Sequence, residues 1–269
     1  MQWSRVKTIL IIILLFVDSF LLCTLGGKVW FAYQRGQEVR AHVQTILQKN
    51  GMTLADSMKI PGTAMMPQLS IDRSRAGEAA VAAALLGGSA ERRDEGEASC
   101  FESDRGEVVW NEQGELDARL TPQGYAKPQE GQLRSEAEQV LQGAGLYSSG
   151  LVWDVKGNAV TASFKTAGYE VFNRRLTVTY GEESLRITGR WTFSEPYSTK
   201  SNLYASYNPA DALVLFAGFG LASRIDGMEP GLLLTNAAGN QFALSPVWRI
   251  VTDEGEFFVD PLKKTIIET

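Results

Sequence analysis

The sequence predicts an α+β protein in which a single N-terminal transmembrane helix is followed by tandem units of antiparallel sheet packed on helices. Three observations carry that prediction. One apolar run, Thr8–Leu25, follows a seven-residue polar tail, and the rest of the chain has no second run of its kind. Period-two alternation recurs through the second half, as where Leu176, Val178 and Tyr180 alternate with Thr177 and Thr179. Helical patterns are few and stand ahead of groups of strands, which favours helices against one face of antiparallel sheets over a doubly wound fold.

The run TILIIILLFVDSFLLCTL has 18 residues, near the roughly 20 needed to cross a hydrocarbon core of about 30 Å. Arg5 and Lys7 precede it, and Lys28, Arg35 and Arg40 follow it, so counting charges leaves the orientation open. Length decides instead. A very short basic tail before a long domain reads as a signal anchor, with residues 1–7 cytoplasmic, 8–28 in the membrane and the remainder extracytoplasmic. A cleaved secretory signal fits less well, because such apolar regions run about 7–15 residues. A lipoprotein site would need a small residue before Cys23, and Leu22 stands there. Asp18 interrupts the run beside Ser19, at a cost of about 2.5–3.5 kcal/mol for a central acidic residue. It reads equally as a contact to another transmembrane helix or as a tolerated, snorkelling carboxyl.

Beyond Lys28 the chain carries 23 basic and 30 acidic side chains, a balance of −7 that disfavours nucleic acid and anionic headgroups as partners. This outer portion is long enough for two small packed domains, expected at 29–121 and 131–269. Pro122 and Pro128 mark Thr121–Glu130 as the link between them. Cys23 lies in the apolar run and Cys100 outside it, so no bridge between them is expected.

In the first unit, Val39, Val43, Ile46 and Leu47 share one face of a helix over Gln37–Asn50, stopped by Gly51. Extended chain at Gln68–Asp72, a helix over Gly77–Leu86 and a hairpin over Cys100–Leu120 follow, with turns at Asp104-Arg105-Gly106 and Gln113-Gly114. Gly87–Ser99 is charged and Gly-rich and reads as a mobile loop. The second unit opens with a helix over Leu133–Gly145, whose Arg134, Leu141, Gln142 and Gly145 answer Arg40, Leu47, Gln48 and Gly51 in register. Strands are then expected at Leu151–Val155 and Ala159–Phe164 about a Lys156-Gly157-Asn158 turn, and on either side of Gly181-Glu182-Glu183. Asn208 as N-cap, Pro209 at the first position and Asp211 in the first turn predict a helix over Pro209–Phe219. Gln241–Val251 and Glu256–Val259 pair across Asp253-Glu254-Gly255, and Lys264–Glu268 is the last strand.

Nothing in the sequence assembles a catalytic constellation, so no enzyme, cofactor or metal centre is expected. His42 is the one histidine, on the solvated side of its helix, and Cys100 has no second ligand or base at useful spacing. The acidic pairs Asp94-Glu95, Glu182-Glu183 and Asp253-Glu254 sit in turn-like segments, which weakens a wall-cleaving glycosidase. Ala217-Gly218-Phe219-Gly220 ends a helix, whereas phosphate loops begin one. Aromatics cluster from Trp191 to Tyr207. Trp191 and Phe193 alternate as core, leaving Tyr197, Tyr204 and Tyr207, with Asp18 and Ser19, as candidate partner contacts.

The opening, with Trp3, Ser4, Lys7, Thr8 and Asp18 in place, resembles that of the YycI family. Gly168-Tyr169-Glu170-Val171-Phe172-Asn173 with Leu176-Thr177-Val178 resembles that family's C-terminal half, as do Pro246-Val247-Trp248-Arg249-Ile250 and Phe257-Phe258-Val259-Asp260. The ending is also similar to YycH and PepSY-like modules, and the charged Gly87–Ser99 stretch departs from the pattern. The resemblance implies a non-enzymatic accessory protein that works with YycH on the sensor histidine kinase YycG, also called WalK, to adjust cell-wall metabolism, alone or as a homo- or hetero-oligomer. The alternative from the residues is an extracytoplasmic module that binds wall polymer or peptide.

Overall fold

The computed structural model describes residues 3–88, 90–95, 98–148, 150–198, 204–236 and 241–268, with the side chains of 3–6, 8–12, 25–37, 94–95 and 268 outside that description. The expected anchor and the helix that follows it form one element, α1 (Trp3–Lys49). At 1.5 Å per residue it is about 70 Å long. No proline interrupts it, and Gly26 and Gly27 each cost only about 0.8–1.0 kcal/mol relative to Ala. Among the described residues no helix is long and apolar enough to cross a membrane. In the Thr8–Leu25 run the side chains of 8–12 and 25 lie outside the described set.

After α1 come β1 (Thr53–Leu54), β2 (Ala64–Pro67) and β3 (Leu69–Asp72). The chain then repeats one motif, a helix followed by four antiparallel strands, three times. The first copy is α2 (Arg75–Leu86), β4 (Glu91–Glu95), β5 (Ala98–Ser103), β6 (Gly106–Trp110) and β7 (Glu115–Leu120). The second is α3 (Leu133–Gly143), β8 (Val152–Lys156), β9 (Ala159–Thr166), β10 (Tyr169–Tyr180) and β11 (Leu185–Arg190). After β12 (Tyr204–Tyr207) the third is α4 (Pro209–Phe219), β13 (Arg224–Asn236), β14 (Gln241–Thr252), β15 (Gly255–Asp260) and β16 (Thr265–Glu268). Asn208 caps α4 as expected, its Oδ1 accepting from Ala210 N at 3.1 Å, while α2 begins two residues before the expected Gly77, capped by Ser74, whose Oγ accepts from Gly77 N at 3.1 Å.

The expected domain cut does not divide the sheets. β7 pairs with β11 from Leu120↔Leu185 to Glu115↔Arg190, so strands on both sides of Thr121–Glu130 share one sheet. Its order is β4-β5-β6-β7-β11-β10-β9-β8, with the last strands of two motifs meeting at its centre. The third motif forms a second sheet around β13-β14-β15-β16, to which β1 adds in parallel and β3 antiparallel. The chain therefore leaves this second sheet after β3, builds the first two motifs, and returns. By position in the motif α3 corresponds to α2, not to the end of α1 with which the sequence register aligned it.

The two sheets meet where β10 and β13 touch in parallel at Val171↔Leu232. Asn173 fixes this junction, its Nδ2 donating to Leu234 O at 2.7 Å and its Oδ1 accepting from Leu234 N at 2.8 Å. Gly231 makes the approach possible, because a Cβ there would stand 2.4 Å from the Phe172 ring. Strand β13 was not expected, since Gly227, Pro230 and Gly231 break its pattern. Pro230 is tolerated because β1 reaches only Arg224 and Ile225 and β10 only Leu232, leaving its other side without a strand partner. The expected mobile loop likewise contains β4, a charged edge strand on β5. Backbone pairing sets such an edge, and its charges discourage further strand addition.

Helices α2 and α3 cover one face of the first sheet, burying Val81, Leu86, Ala137 and Leu141 against Trp110, Leu116, Val178 and Ile187. The other face is polar and open, as in one-sided antiparallel sheets. There Arg186 Nε and Nη2 donate to Asp117 Oδ1 and Oδ2 at 2.9 Å each. The Arg186 hydrogen bonds hold the Asp117 carboxyl below its ordinary range. A depressed carboxylate stabilises the fold above its unfolded pKa near 4 and loses that contribution as pH falls through its folded value. Asp117→Asn is expected to cost under about 1 kcal/mol at pH 7, as exposed pairs do. The gap from wild type should close below about pH 4 in urea midpoints measured against pH.

Candidate functional site

Helix α1 joins two unlike environments. At its C-terminal end Val43 and Leu47 are buried with Leu213 and Phe216 of α4 and with Trp248 and Ile250 of β14. At the other end, Ile13 through Val17 and Phe20 through Leu22 are each at least half exposed, up to 75% at Phe16. Ten consecutive positions pass every side of a helix, so the apolar surface runs all round, and none of the described residues covers it. Asp18 and Ser19 are exposed within it. A helix apolar on all sides belongs inside a large core or a bilayer.

The three tyrosines do not form one surface. Tyr207 is 1% exposed and part of the α1–α4 core, its hydroxyl accepting from Gln68 Nε2 at 3.0 Å. It directly precedes Asn208, the N-cap of α4, so its strand parity turns it inward; it leaves the set of candidate contacts. Tyr197 ties a loop to the second sheet. Its backbone bridges Ser70, and its hydroxyl donates to Asp72 Oδ1 at 2.9 Å and accepts from Gln241 Nε2 at 3.0 Å. That bond to the Asp72 carboxylate raises the Tyr197 pKa. Tyr204 is the open one, 47% exposed on the β2–β12 ribbon, where Met65 is exposed as well. Phe219, at the far end of α4, is also exposed.

The groups considered for chemistry are dispersed. His42 is exposed on α1. Cys100 is buried on β5, and its Sγ donates to Glu107 Oε1 at 3.4 Å. With Glu102 these side chains bring three ligand atoms within 4.8 Å of one another. Glu182 pairs with Lys127 at 2.6 Å on the surface. Asp253 Oδ1 accepts from Ser223 N and Arg224 N, and the Arg224 backbone bond lowers its pKa. Asp94 and Glu95 have side chains outside the described set. Gly220, at φ +65°, closes α4 as a left-handed cap, so the expected helix end is where the glycine puts it.

No protein-family model matches the chain, and no curated protein matches it. Solved structures resemble its fold. The crystal structure of an uncharacterized protein from Eubacterium rectale ATCC 33656 aligns with a TM-score of 0.50 over 86% of this chain and 99% of that one, at 7% identity. The Bacillus megaterium YpeB C-terminal domain aligns with a TM-score of 0.31 over 74% of this chain and 97% of that one, at 11% identity. The first likeness shows the fold alone, and the second is too remote to extend it. The chain is a mixed α+β protein dominated by antiparallel sheet.

Proposed function

We propose that this chain is a single-pass membrane protein, with its N-terminus cytoplasmic, that acts as a non-enzymatic accessory regulator of a sensor histidine kinase of the YycG/WalK type, beside a YycH-like partner. The observation that supports it best is α1, whose uncovered apolar segment continues without a break into a helix buried in the core of the folded domain. A bilayer would cover that segment, and a continuous helix would then couple the outer domain's position to its membrane end. Asp18 is the polar mark on that segment, suited to a partner helix that supplies a hydrogen bond. The resemblance at Trp3, Ser4, Lys7, Thr8 and Asp18 supplies the kinase as partner. A regulator of this kind works by contacting two signalling states of its partner unequally.

The test is mass spectrometry of proteins that co-purify from detergent-solubilised membranes of the native organism, with the full chain and with a chain lacking residues 1–28. Recovery of a sensor kinase and a YycH-like protein only with the full chain is the expected result. Recovery of wall polymer or wall enzymes through the outer domain, with or without 1–28, would replace this reading with the envelope-binding one. Asp18→Leu is expected to weaken kinase recovery while leaving the chain in the membrane fraction. Unchanged recovery and unchanged kinase output would remove Asp18 from the contact.

A further inference from the structure

Strand β10 places Arg174 in line with Leu176, Val178 and Tyr180, the inward face of the first sheet. Only 4% of it is exposed. Among the described residues it makes no ion pair, and its hydrogen bond is from Nη2 to Thr192 O at 2.5 Å. Among the described residues Nε and Nη1 have no partner, nor do the nearby buried hydroxyls Ser148 Oγ and Thr192 Oγ1. The guanidinium carbon lies 3.6 Å from the centroid of the Phe164 ring and 4.8 Å from that of Trp191. All of these residues line one cleft of about 500 Å³.

Burial without a compensating carboxylate pulls the Arg174 pKa down to about 9, so the group is still charged at neutral pH. A buried cation with free donors is expensive unless something pairs with it. Aromatic rings on its faces leave the N–H groups in its plane as its hydrogen-bonding directions, where a carboxylate oxygen is a charge-assisted acceptor. The volume is that of a small-molecule site, and Phe164, Trp191 and Phe193 give it apolar walls. Such walls suit an organic anion better than a fully hydrated inorganic one. Among the described residues Glu195 is the one carboxylate lining the cleft and is exposed, as is Lys165.

We propose that this cleft binds a small carboxylate ligand with an apolar body, its oxygens on Arg174 and the hydroxyls of Ser148 and Thr192. The site goes beyond the regulatory reading and stands whether or not the chain acts on a kinase.

Benzoate is the probe, with benzamide as its uncharged counterpart and inorganic phosphate as the hydrated anion, titrated by calorimetry into the full chain in detergent. Benzoate is expected to bind and raise the unfolding temperature, and benzamide to bind at least about tenfold more weakly, as loss of a charged hydrogen-bond partner dictates. Arg174→Met is expected to fold at least as stably as wild type without ligand, because an apolar side chain replaces an unpaired buried charge, and to lose the benzoate response. Ser148→Ala with Thr192→Val keeps the arginine and should weaken benzoate binding, whereas Glu195→Gln should bind at least as well as wild type. Equal binding of benzoate by wild type and Arg174→Met would overturn the proposal, as would no benzoate binding by wild type. A response to phosphate alone would overturn the carboxylate assignment.

Discussion

Glu78→Ala is expected to destabilise the fold by about 3–5 kcal/mol, the cost of removing one partner of a buried ion pair. Glu78 is 2% exposed in the first turn of α2. Its Oε1 accepts from Arg73 Nε at 2.6 Å and its Oε2 from Arg73 Nη2 at 3.2 Å. The Arg73 side chain is itself 5% exposed and also donates to Asn111 O at 2.7 Å and Glu112 O at 2.6 Å. The arginine thus joins the end of β3, in the second sheet, to the β6–β7 turn of the first. Removing the carboxylate leaves its charge buried with only carbonyl acceptors. Arg73→Met combined with Glu78→Leu removes both charges and should lie closer to wild type than Glu78→Ala alone, although the two carbonyls lose their donor. Urea unfolding of the three chains checks this. If the double variant is as unstable as the single one, the carbonyl contacts and not the uncompensated charge set the cost.

That ion pair also shows how far the sequence could be read. Arg73 and Glu78 are five residues apart across a strand-to-helix turn, and nothing in their spacing says that both are buried. Burial comes from the β6–β7 turn folding over them, a contact between residues almost 40 positions apart. The local elements were legible wherever one physical signal dominated: the Asn208-Pro209 start of α4, the Gly51 and Gly220 stops, and the glycine turns of the hairpins. The sheet order was not, because the pairing of β7 with β11 is decided by two motifs meeting through their last strands, a choice between nearly equivalent edges. Strand β13 hid behind Gly227, Pro230 and Gly231: all three pair with β14, Pro230 is tolerated because no strand pairs with its other side, and Gly231 makes room for Phe172 of β10.

The candidate site divides along the same line. The uncovered apolar stretch of α1 was visible as composition, whereas Tyr207 was misplaced because a count of aromatics carries no strand parity. Arg174 left a signal that went unused. It stands between Phe172 and Leu176 in a stripe that continues through Val178 and Tyr180, so the alternation itself marks it as an inward-facing charge. An arginine that breaks an inward stripe is a stronger pointer to a binding site than an exposed aromatic cluster.

Gly189→Ala is expected to be the other severe substitution, and its cost comes from the backbone. Gly189 lies in β11, between Leu176 of β10 and Leu116 of β7, at φ +135°. An L side chain rarely adopts that angle, and holding it there costs on the order of 1–3 kcal/mol. A Cβ would also stand 2.0 Å from the Arg175 carbonyl oxygen, an overlap with backbone that no rotamer change relieves. Relief requires β10 and β11 to separate next to the register shift between Glu170 and Arg175, the irregularity beside Arg174. Gly227→Ala is the matched control, a strand glycine in β13 whose added Cβ would meet Val251 at an ordinary 3.7 Å. Gly227→Ala should therefore keep the wild-type urea midpoint or raise it slightly, since it restricts the unfolded chain. Gly189→Ala should lower that midpoint and, at denaturant levels where the chain is still folded, speed hydrogen exchange in β10 and β11 before β14 and β15. Equal exchange in both sheets would mean that the strain spreads through the Val171–Leu232 junction and that the two sheets unfold as one unit.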